Sequence, residues 1–305
     1  MKNKLKQFQM IRQALKGDIL VSEPLSGHTS FRIGGPADFY YRPQDEENLA
    51  AAIGLCADEG IIRFIIGAGT DLLVSDSGFR GMVIDLSQGF QTMSSNGRTA
   101  RAGAGVNLQD FLQYLTGRGL SGMENLIGIP GQIGGSVRLN AGAFGSEIKD
   151  RLQTVRFMDA AGRIADLPRS DVVMEYRRTS LPPDGIVVEA VFRMEDGNTN
   201  EMVTVQNNLL TRRKAKQPLS FPSAGSVFKR PPGDFAGRLI EDAGCKGLRI
   251  GDALVSKKHA NFIVNVHYAT AQDVLRLIDE VRERVFKRFN VALELEIQLV
   301  GFTEP

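Results

Sequence analysis

The chain has 305 residues, with ordinary hydrophobic (42%) and charged (24%) fractions and a formal net charge of +2. This length exceeds what one hydrophobic core usually accommodates, so we expect two or three domains. The near balance of 37 basic and 35 acidic residues excludes a general electrostatic attraction to nucleic acid or membranes, so anionic ligands must be bound by local clusters.

The N-terminal residues 1–16 are basic but lack the apolar core and cleavage site of a signal peptide. Their periodicity predicts a helix that packs on the protein, and a helix lying on a membrane surface is the alternative. The apolar stripe of this helix is formed by Leu5, Phe8, Ile11 and Leu15. No apolar run approaches the ~18 residues that a membrane-spanning helix needs.

The two cysteines and three histidines lack the spacing of a metal site, so we predict no bound metal. Cys56 falls on the apolar face of a predicted helix and is expected in the core. So few cysteines make dependence on disulfides improbable, which fits a reducing cytoplasm.

Short strands and helices alternate in the first half of the chain. Asp45 is the predicted N-cap of one helix, which Gly60 ends, and Asn107 is the predicted N-cap of another, with Gly119 near its end. Strands are predicted at 61–66, 82–86, 152–158, 164–167 and 186–194.

The composition changes near Gly197, where Asp196-Gly197-Asn198 is typical of a turn. We therefore place the main domain boundary there. Helices are predicted beyond it at 201–216, 235–243 and from about Thr270, and strands at 262–266 and 291–300. The last strand alternates: one face carries Val291, Leu293, Leu295, Ile297 and Leu299, and the other Glu294, Glu296 and Gln298.

The glycine-rich segment 128–145 is the most informative part of the sequence. It contains six glycines in eighteen residues, interleaved with apolar side chains. A flexible linker would be polar, whereas this composition allows burial and a close approach of bare backbone to a phosphate or a planar ring. A tightly packed structural loop is the alternative.

Two shorter glycine turns precede this segment. Gly67-Ala68-Gly69 follows a predicted strand, and Asp85 lies where the ribose-binding acid of a nicotinamide-binding Rossmann unit would be expected. That motif needs a third glycine and a helix, but position 72 is Leu. Gly103-Ala104-Gly105 has the same defect. Several glycine segments fit a long dinucleotide held from several sides, and FAD is such a ligand.

Six motifs in this order are similar to those of one enzyme family. They are residues 28–35 (HTSFRIGG), 67–73 (GAGTDLL), 124–126 (ENL) leading into 128–145, Tyr176-Arg177, 223–229 (SAGSVFK) and 293–296 (LELE). From about His28 to Phe302 the chain resembles the UDP-N-acetylenolpyruvoylglucosamine reductases (UDP-N-acetylmuramate dehydrogenases). The short spacing between Arg177 and Ser226 resembles their second subtype.

The resemblance implies an α+β fold, with a two-lobed FAD-binding domain of the vanillyl-alcohol-oxidase type and a C-terminal α+β substrate-binding domain. The expected divisions are an N-terminal helix (1–21), the FAD-binding domain (22–197, lobes about 22–88 and 89–197) and the substrate-binding domain (198–305). It also implies a cytoplasmic enzyme of peptidoglycan precursor synthesis. NADPH would reduce FAD, and UDP-N-acetylglucosamine enolpyruvate would then be reduced to UDP-N-acetylmuramate. We expect no nucleic-acid, membrane or obligate protein partner.

The resemblance also assigns binding residues. Those expected to bind FAD are Ile66, Gly67, Ala68, Gly69, Thr70, Asp71, Leu72, Gly128, Pro130, Gly131, Gly134, Gly135, Ser136, Asn140 and Gly142. Those expected to bind substrate are Tyr176, Lys216, Lys229 and Arg230. Lys216 and Arg230 flank the Ser226 loop and are expected to neutralise the substrate diphosphate, with a solvated surface position as the alternative, and Lys229 is a candidate to assist proton transfer by Ser226.

Three residues match the catalytic positions of the family. Arg177 is expected to bind the substrate carboxylate at two points, Ser226 to give the proton, and Glu296 to donate a hydrogen bond to the developing enediolate. The alternatives are a surface turn for Arg177, an ordinary loop for Ser226 and an exposed strand carboxylate for Glu296. Two other functions remain open: another FAD-linked oxidoreductase on this scaffold, or a noncatalytic protein that binds flavin or a nucleotide sugar.

Overall fold

A computed structural model of the chain describes residues 2–302, with side chains from Gln7 onwards. Met1, the side chain of Leu5 and residues 303–305 lie outside the described residues. Helices and strands mix along the chain, which confirms the predicted α+β class. The α-helices are α1 (Lys2–Ala14), α2 (Glu46–Asp58), α3 (Leu108–Thr116), α4 (Ile133–Arg138), α5 (Thr199–Lys216), α6 (Ala236–Asp242) and α7 (Ala271–Phe289).

Two compact units make up the structure. The first comprises the residues up to Val21 together with Phe39–Ala68 and Gly81–Thr211; the second comprises Ser22–Asp38, Gly69–Arg80 and the residues from Arg212 onwards. The chain thus passes between units several times. The domain boundary near residue 197 and the two lobes stay predictions. Among residues 2–302, no helix has both the length and the apolar character that crossing a bilayer requires.

A five-stranded antiparallel sheet is the centre of the first unit. In spatial order its strands are Ile164–Pro168, Leu152–Met158, Ile186–Arg193, Thr99–Gly103 and Met93–Asn96. Helix α4 packs against the central strand. The rings of Phe111 on α3 and Phe192 are both fully buried, with centroids 5.3 Å apart, so α3 and the sheet share one apolar core.

A second sheet, most of whose residues belong to the first unit, packs with α1 and α2. Its strand order is Asp18–Pro24, Pro36–Arg42, Phe79–Asp85 and Arg63–Ile66, and the last two strands are parallel. Asp45 accepts a hydrogen bond from the amide of Asn48, which confirms the predicted N-cap. Ile11 and Cys56 are buried in this core, so α1 packs on the protein and Cys56 is a core residue, as predicted.

The second unit is built around α6 and α7. Its sheets are Arg249–Ile250, Ala253–Val255 and Ile263–Asn265 in that order, and the parallel pair Leu72–Val74 and Gln298–Val300. The apolar face of α7 is buried as its periodicity predicts. Its buried members include Val274, Leu277, Ile278, Val281 and Val285.

The continuous strand predicted at 291–300 is wrong. Only Gln298–Val300 is a strand, Leu295 forms an isolated bridge with Phe228, and the chain bends at residues 296–297. Because this segment pairs first with one partner and then with Leu72–Val74, it must turn between them. The alternation consequently shifts: Leu299 is 42% exposed, whereas Val300 is 5% exposed.

The start of α7 generates a stability prediction. Thr270 Oγ1 accepts from the amide of Asp273, and the Asp273 carboxylate accepts from the amide of Thr270, both at 3.0 Å. Thr270→Ala removes one of these bonds and should lower the free energy of unfolding by about 1 kcal/mol. Urea denaturation measures this, with Thr270→Ser as the control that keeps the hydroxyl. Equal stability of the alanine and serine variants would contradict the expectation.

Candidate active site

In the first unit, Arg177 lies at the tip of a short hairpin. Met174–Glu175 pairs with Arg178–Thr179, which leaves Tyr176 and Arg177 as the two loop residues. Arg177 has φ +56°, a left-handed conformation that favours Gly or Asn. Its guanidinium carbon lies 4.9 Å from the centre of the Tyr176 ring, which is 47% exposed. A large cation held in an unfavourable backbone conformation points to a functional constraint.

Both strands of this hairpin bond to the end of α4 or to the residues just after it. Asn140 Nδ2 donates to Glu175 O at 3.1 Å, and Thr179 Oγ1 donates to Arg138 O at 3.1 Å. The hairpin is therefore fixed on either side of its two-residue loop.

Asn140 makes two further bonds. Its Nδ2 donates to Glu147 Oε2 at 3.1 Å, and its Oδ1 accepts from the amide of Lys149 at 3.0 Å. Burial disfavours the ionised Glu147 carboxyl. Hydrogen bonds from Lys149 and Asn140 and the charges of Lys149 and Arg177 nevertheless lower its pKa below the ordinary value. A buried amide and a carboxylate thus lie next to the Arg177 hairpin.

The glycine-rich segment contains α4, which the sequence analysis did not predict. The amides of Ile133 and Gly134 donate to Val106 O and Ala104 O, each at 2.9 Å. A Cβ at Gly134 would lie 2.9 Å from the Ala104 Cβ, whereas one at Gly135 would meet nothing within 4 Å. Gly134 thus serves close packing, and Gly135 leaves bare backbone facing open space.

The other residues predicted to bind FAD in this unit lie along the same segment. A Cβ at Gly67 would be 3.1 Å from Gln132 Oε1, so the turn after strand Arg63–Ile66 is next to the start of α4. Gly128 and Gly131 both have positive φ, and Ser136 is buried. The unit therefore brings Ile66, Gly67 and Ala68 to the segment that carries Gly128, Pro130, Gly131, Gly134, Gly135, Ser136, Asn140 and Gly142.

The structure rejects a Rossmann unit at Gly67. The turn leads into the strand Leu72–Val74 and not into a helix. Asp85 is 5% exposed and accepts hydrogen bonds from Tyr40, Arg42 and Ser87. This carboxylate is therefore occupied within the protein. The turn Gly103-Ala104-Gly105 is a packing turn, because Cβ atoms at its glycines would lie 2.4 and 2.2 Å from the carbonyl oxygens of Phe90 and Leu86.

In the second unit, Ser226 and Glu296 lie on adjacent segments. The amide of Glu296 donates to Val227 O at 2.8 Å, and the amide of Lys229 donates to Glu294 O at 2.9 Å. Both Ser226 and Glu296 are half-buried. Gly225, with φ +74°, forms the turn before Ser226. Two predicted catalytic residues far apart in sequence are thus close in this unit.

The Ser226 loop is held rigidly by Asn261, a residue missed by sequence reasoning. Asn261 is 7% exposed. Its Oδ1 accepts from the amide of Phe228 at 3.0 Å, its Nδ2 donates to Phe228 O at 2.8 Å, and its own carbonyl accepts from the amide of Val227 at 2.9 Å. Asn261 directly precedes the predicted strand 262–266, and its sequence context carries no signal of this role.

Ser30 joins the same loop to the Gly69 turn. Its hydroxyl donates to Ser223 O at 2.7 Å, and its amide donates to Gly69 O at 2.9 Å. Gly69 has φ +60°, and a Cβ there would lie 2.0 Å from His28 O. The amide of Gln298 donates to Asp71 O at 2.9 Å. The turn at Gly69 and the residues that follow it are thus bonded to the segments that carry Ser226 and Glu296. This part of the chain contains the predicted FAD-binding residues Gly69, Thr70, Asp71 and Leu72.

The basic residues predicted to bind substrate in this unit differ in their contacts and exposure. Lys229 Nζ lies 3.3 Å from Glu294 Oε2, and the Arg230 guanidinium carbon lies 3.9 Å from the centre of the Phe235 ring. Lys216 is exposed at the end of α5. Burial, followed by the charge of Lys246, lowers the pKa of the half-buried His259, and Lys216 contributes to the same shift.

Comparison with known proteins covers nearly the whole chain. Residues 37–168 match the family model of an FAD binding domain, and residues 217–300 match that of the UDP-N-acetylenolpyruvoylglucosamine reductase C-terminal domain. The chain is 44% identical over 288 residues to the UDP-N-acetylenolpyruvoylglucosamine reductase of Lachnoclostridium phytofermentans, covering 93% of each chain. It is 42% identical over 287 residues to that of Clostridioides difficile, covering 94% of each.

A solved structure agrees with these sequence matches. The UDP-N-acetylenolpyruvylglucosamine reductase of Thermus caldophilus superposes with a TM-score of 0.82 at 35% identity, covering 94% of this chain and 100% of that one. The two family models include the glycine segments 66–72 and 128–142 and the residues from Ser226 to Glu296, whereas Tyr176, Arg177 and Lys216 lie between the two models. The chain therefore belongs to the family of UDP-N-acetylenolpyruvoylglucosamine reductases.

Proposed function

We infer that the chain is an FAD-dependent oxidoreductase that reduces UDP-N-acetylglucosamine enolpyruvate to UDP-N-acetylmuramate for peptidoglycan synthesis, with NADPH as the electron donor. The observation that supports this proposal most directly is the family match over both parts of the chain. We also propose that the enzyme lies in the cytoplasm and that its partners are small molecules. The catalytic roles of Arg177, Ser226 and Glu296 belong to the same proposal.

The glycine segments fit FAD. Gly135 leaves an open stretch of backbone, and the Gly69 turn is shaped by a positive φ that other residues adopt only with strain. We assign FAD to the predicted residues within 66–72 and 128–142 other than Asn140, whose side chain is used by contacts within the protein. When bound, FAD supplies the hydride that is taken from NADPH and added to the substrate.

Arg177 supplies the electrostatic requirement of the reaction. The substrate carbon–carbon double bond is conjugated to a carboxylate, so adding hydride at the terminal carbon places negative charge on the adjacent carbon and the carboxylate. A guanidinium binds a carboxylate through two parallel charge-assisted hydrogen bonds. Its place at a fixed hairpin tip, in a left-handed conformation, supports this role for Arg177.

Ser226 and Glu296 act on the charge formed on the substrate. Ser226 donates the proton to the adjacent carbon. Within residues 2–302 its hydroxyl makes no hydrogen bond, so this group is available to a ligand. In its protonated form, a carboxyl at Glu296 donates a hydrogen bond to the enediolate. The shared backbone bond between Val227 and Glu296 keeps the two groups in register.

The remaining basic and aromatic residues bind the ends of the substrates. Lys216, Lys229 and Arg230 offer positive charge for the diphosphate, and the half-exposed Tyr176 ring offers a face to the flavin or the nicotinamide. Lys229 must exchange its contact with Glu294 for the diphosphate, which an exposed ion pair permits at low cost.

An anaerobic two-step assay tests the function. The purified holoenzyme should be yellow, NADPH should bleach it, and UDP-N-acetylglucosamine enolpyruvate should restore the colour, whereas plain UDP-N-acetylglucosamine should not. Bleaching without recovery would indicate another FAD-linked oxidoreductase. Failure to bleach in a flavin-loaded protein would indicate a noncatalytic binding protein.

Ser226→Ala should separate the two steps. Bleaching by NADPH should be normal, and reoxidation by substrate should fall about 10²- to 10⁴-fold, because a positioned proton donor is lost. Ser223→Ala in the same loop is the control, since only the carbonyl of Ser223 takes part in the contacts described. Reoxidation at the control rate would remove Ser226 from the mechanism.

Arg177→Lys should keep the positive charge but lose the planar guanidinium group that can form two parallel hydrogen bonds with a carboxylate. Loss of one charge-assisted hydrogen bond, about 1.5–3 kcal/mol, corresponds to a decrease of about 10- to 100-fold in reoxidation. The matched control is Arg178→Lys, since Arg178 is the adjacent exposed arginine of the hairpin. Equal rates for the two variants, measured by stopped-flow absorbance, would show that another residue binds the carboxylate.

A further inference from the structure

We propose that Asn140 is a positioning residue for Arg177, and that it acts by holding the hairpin and not by touching FAD. This inference rests on the proposed role of Arg177. It changes the role expected for Asn140 from contact with the cofactor to control of the geometry of the group that binds the substrate carboxylate.

The side chain of Asn140 is committed to the protein. It is fully buried, and both of its N–H groups are used, one by Glu175 O and one by Glu147 Oε2. Its Oδ1 accepts from the amide of Lys149. A buried amide with these partners offers no donor to a ligand.

Three requirements at this position select asparagine. The backbone has φ +43°, which Asn, Asp and Gly tolerate far better than other residues. Both a carbonyl and a carboxylate must receive an N–H, which Asp and Gly cannot provide. An amide N–H must also be accepted. Only Asn combines a left-handed backbone with two donors and an acceptor.

The contacts of Asn140 lead to Arg177 by two short routes. Glu175 lies at the end of the hairpin strand, two residues before Arg177, so its carbonyl sets where the loop begins. Glu147 is close enough for the charge of Arg177 to act on its carboxyl. Asn140 thus fixes the start of the loop that carries Arg177 and holds a negative charge that acts on the guanidinium, and both constrain where the guanidinium faces.

The test uses Asn140→Asp and Asn140→Gly in the holoenzyme, because both residues accept the left-handed backbone. Asn140→Asp removes both donors and places a carboxylate about 3 Å from that of Glu147, as judged from the present contact. Reduction by NADPH should stay within threefold of wild type. Reoxidation by substrate should slow about 10- to 100-fold with a raised KM, the effect of a misplaced positioning contact.

A pH series adds a readout that a merely structural role would not give. The charged groups around this position are Glu147, Lys149, Arg177 and Asp150. Two adjacent carboxyls share a proton, so the pKa of the introduced group should be raised. Protonation returns one donor as the pH falls. The reoxidation rate of Asn140→Asp relative to wild type should therefore rise towards acid pH, whereas that of Asn140→Gly should stay constant.

Gln206→Met is the matched control. Gln206 is a buried amide of the same unit that bonds to Thr116 at 2.9 Å, outside the hairpin network. Loss of the Gln206 amide should reduce thermal stability about as much as the Asn140 substitutions do but leave both half-reactions unchanged. FAD content reports whether each variant has folded.

The outcomes separate this proposal from the proposed function. Slow reoxidation in both Asn140 variants with normal NADPH reduction supports positioning. Wild-type reoxidation in both, while Arg177→Lys is slow, overturns positioning and leaves the function intact. Loss of FAD or equal slowing of both half-reactions also overturns it, because Asn140 would then serve the fold or the cofactor. Normal reoxidation in Arg177→Lys itself rejects the role of Arg177.

Discussion

The antiparallel contact between residues 227–229 and 294–296 is the constraint on which the second unit's candidate site depends. Two backbone hydrogen bonds, from Glu296 to Val227 and from Lys229 to Glu294, fix the register of the segments that carry Ser226 and Glu296. Asn261 bonds to both polar groups of the next residue, Phe228. Since buried backbone groups without partners cost about 1–3 kcal/mol each, the loop has little freedom to move.

The first unit uses a different device to place its reactive group. Asn140 and Arg177 both have positive φ, which asparagine tolerates but which costs about 1–2 kcal/mol for a residue such as arginine. Partly buried hydrogen bonds from Asn140 and Thr179 to the chain around them offset this strain. The hairpin thus holds a long flexible cation on a short, fixed backbone, and this reduces the conformational entropy lost when the cation binds an anion.

Sequence patterns were sufficient where local chemistry decides the structure. The N-caps at Asp45 and Asn107 and the buried face of α7 follow from local hydrogen bonding and helical period. Sequence patterns were insufficient where contacts with residues distant in the sequence decide the structure. Helix α4 forms in a segment of poor helix propensity because its first amides bond to residues 104 and 106. The family resemblance identified Ser226 and Glu296, whereas the supporting residues Ser30 and Asn261 carry no signal beyond buried polarity.

The bend at residues 296–297 makes one short segment belong to two partners. On one side the chain is bonded to the Ser226 loop through Glu296, and two residues later Gln298 is bonded to Asp71 at the end of the glycine turn. Any displacement of that turn therefore moves Gln298 and, through the one residue between them, the carboxyl of Glu296. The geometry of the acid and the shape of the turn cannot vary independently, so an insertion or deletion between Leu295 and Gln298 would disturb both at once.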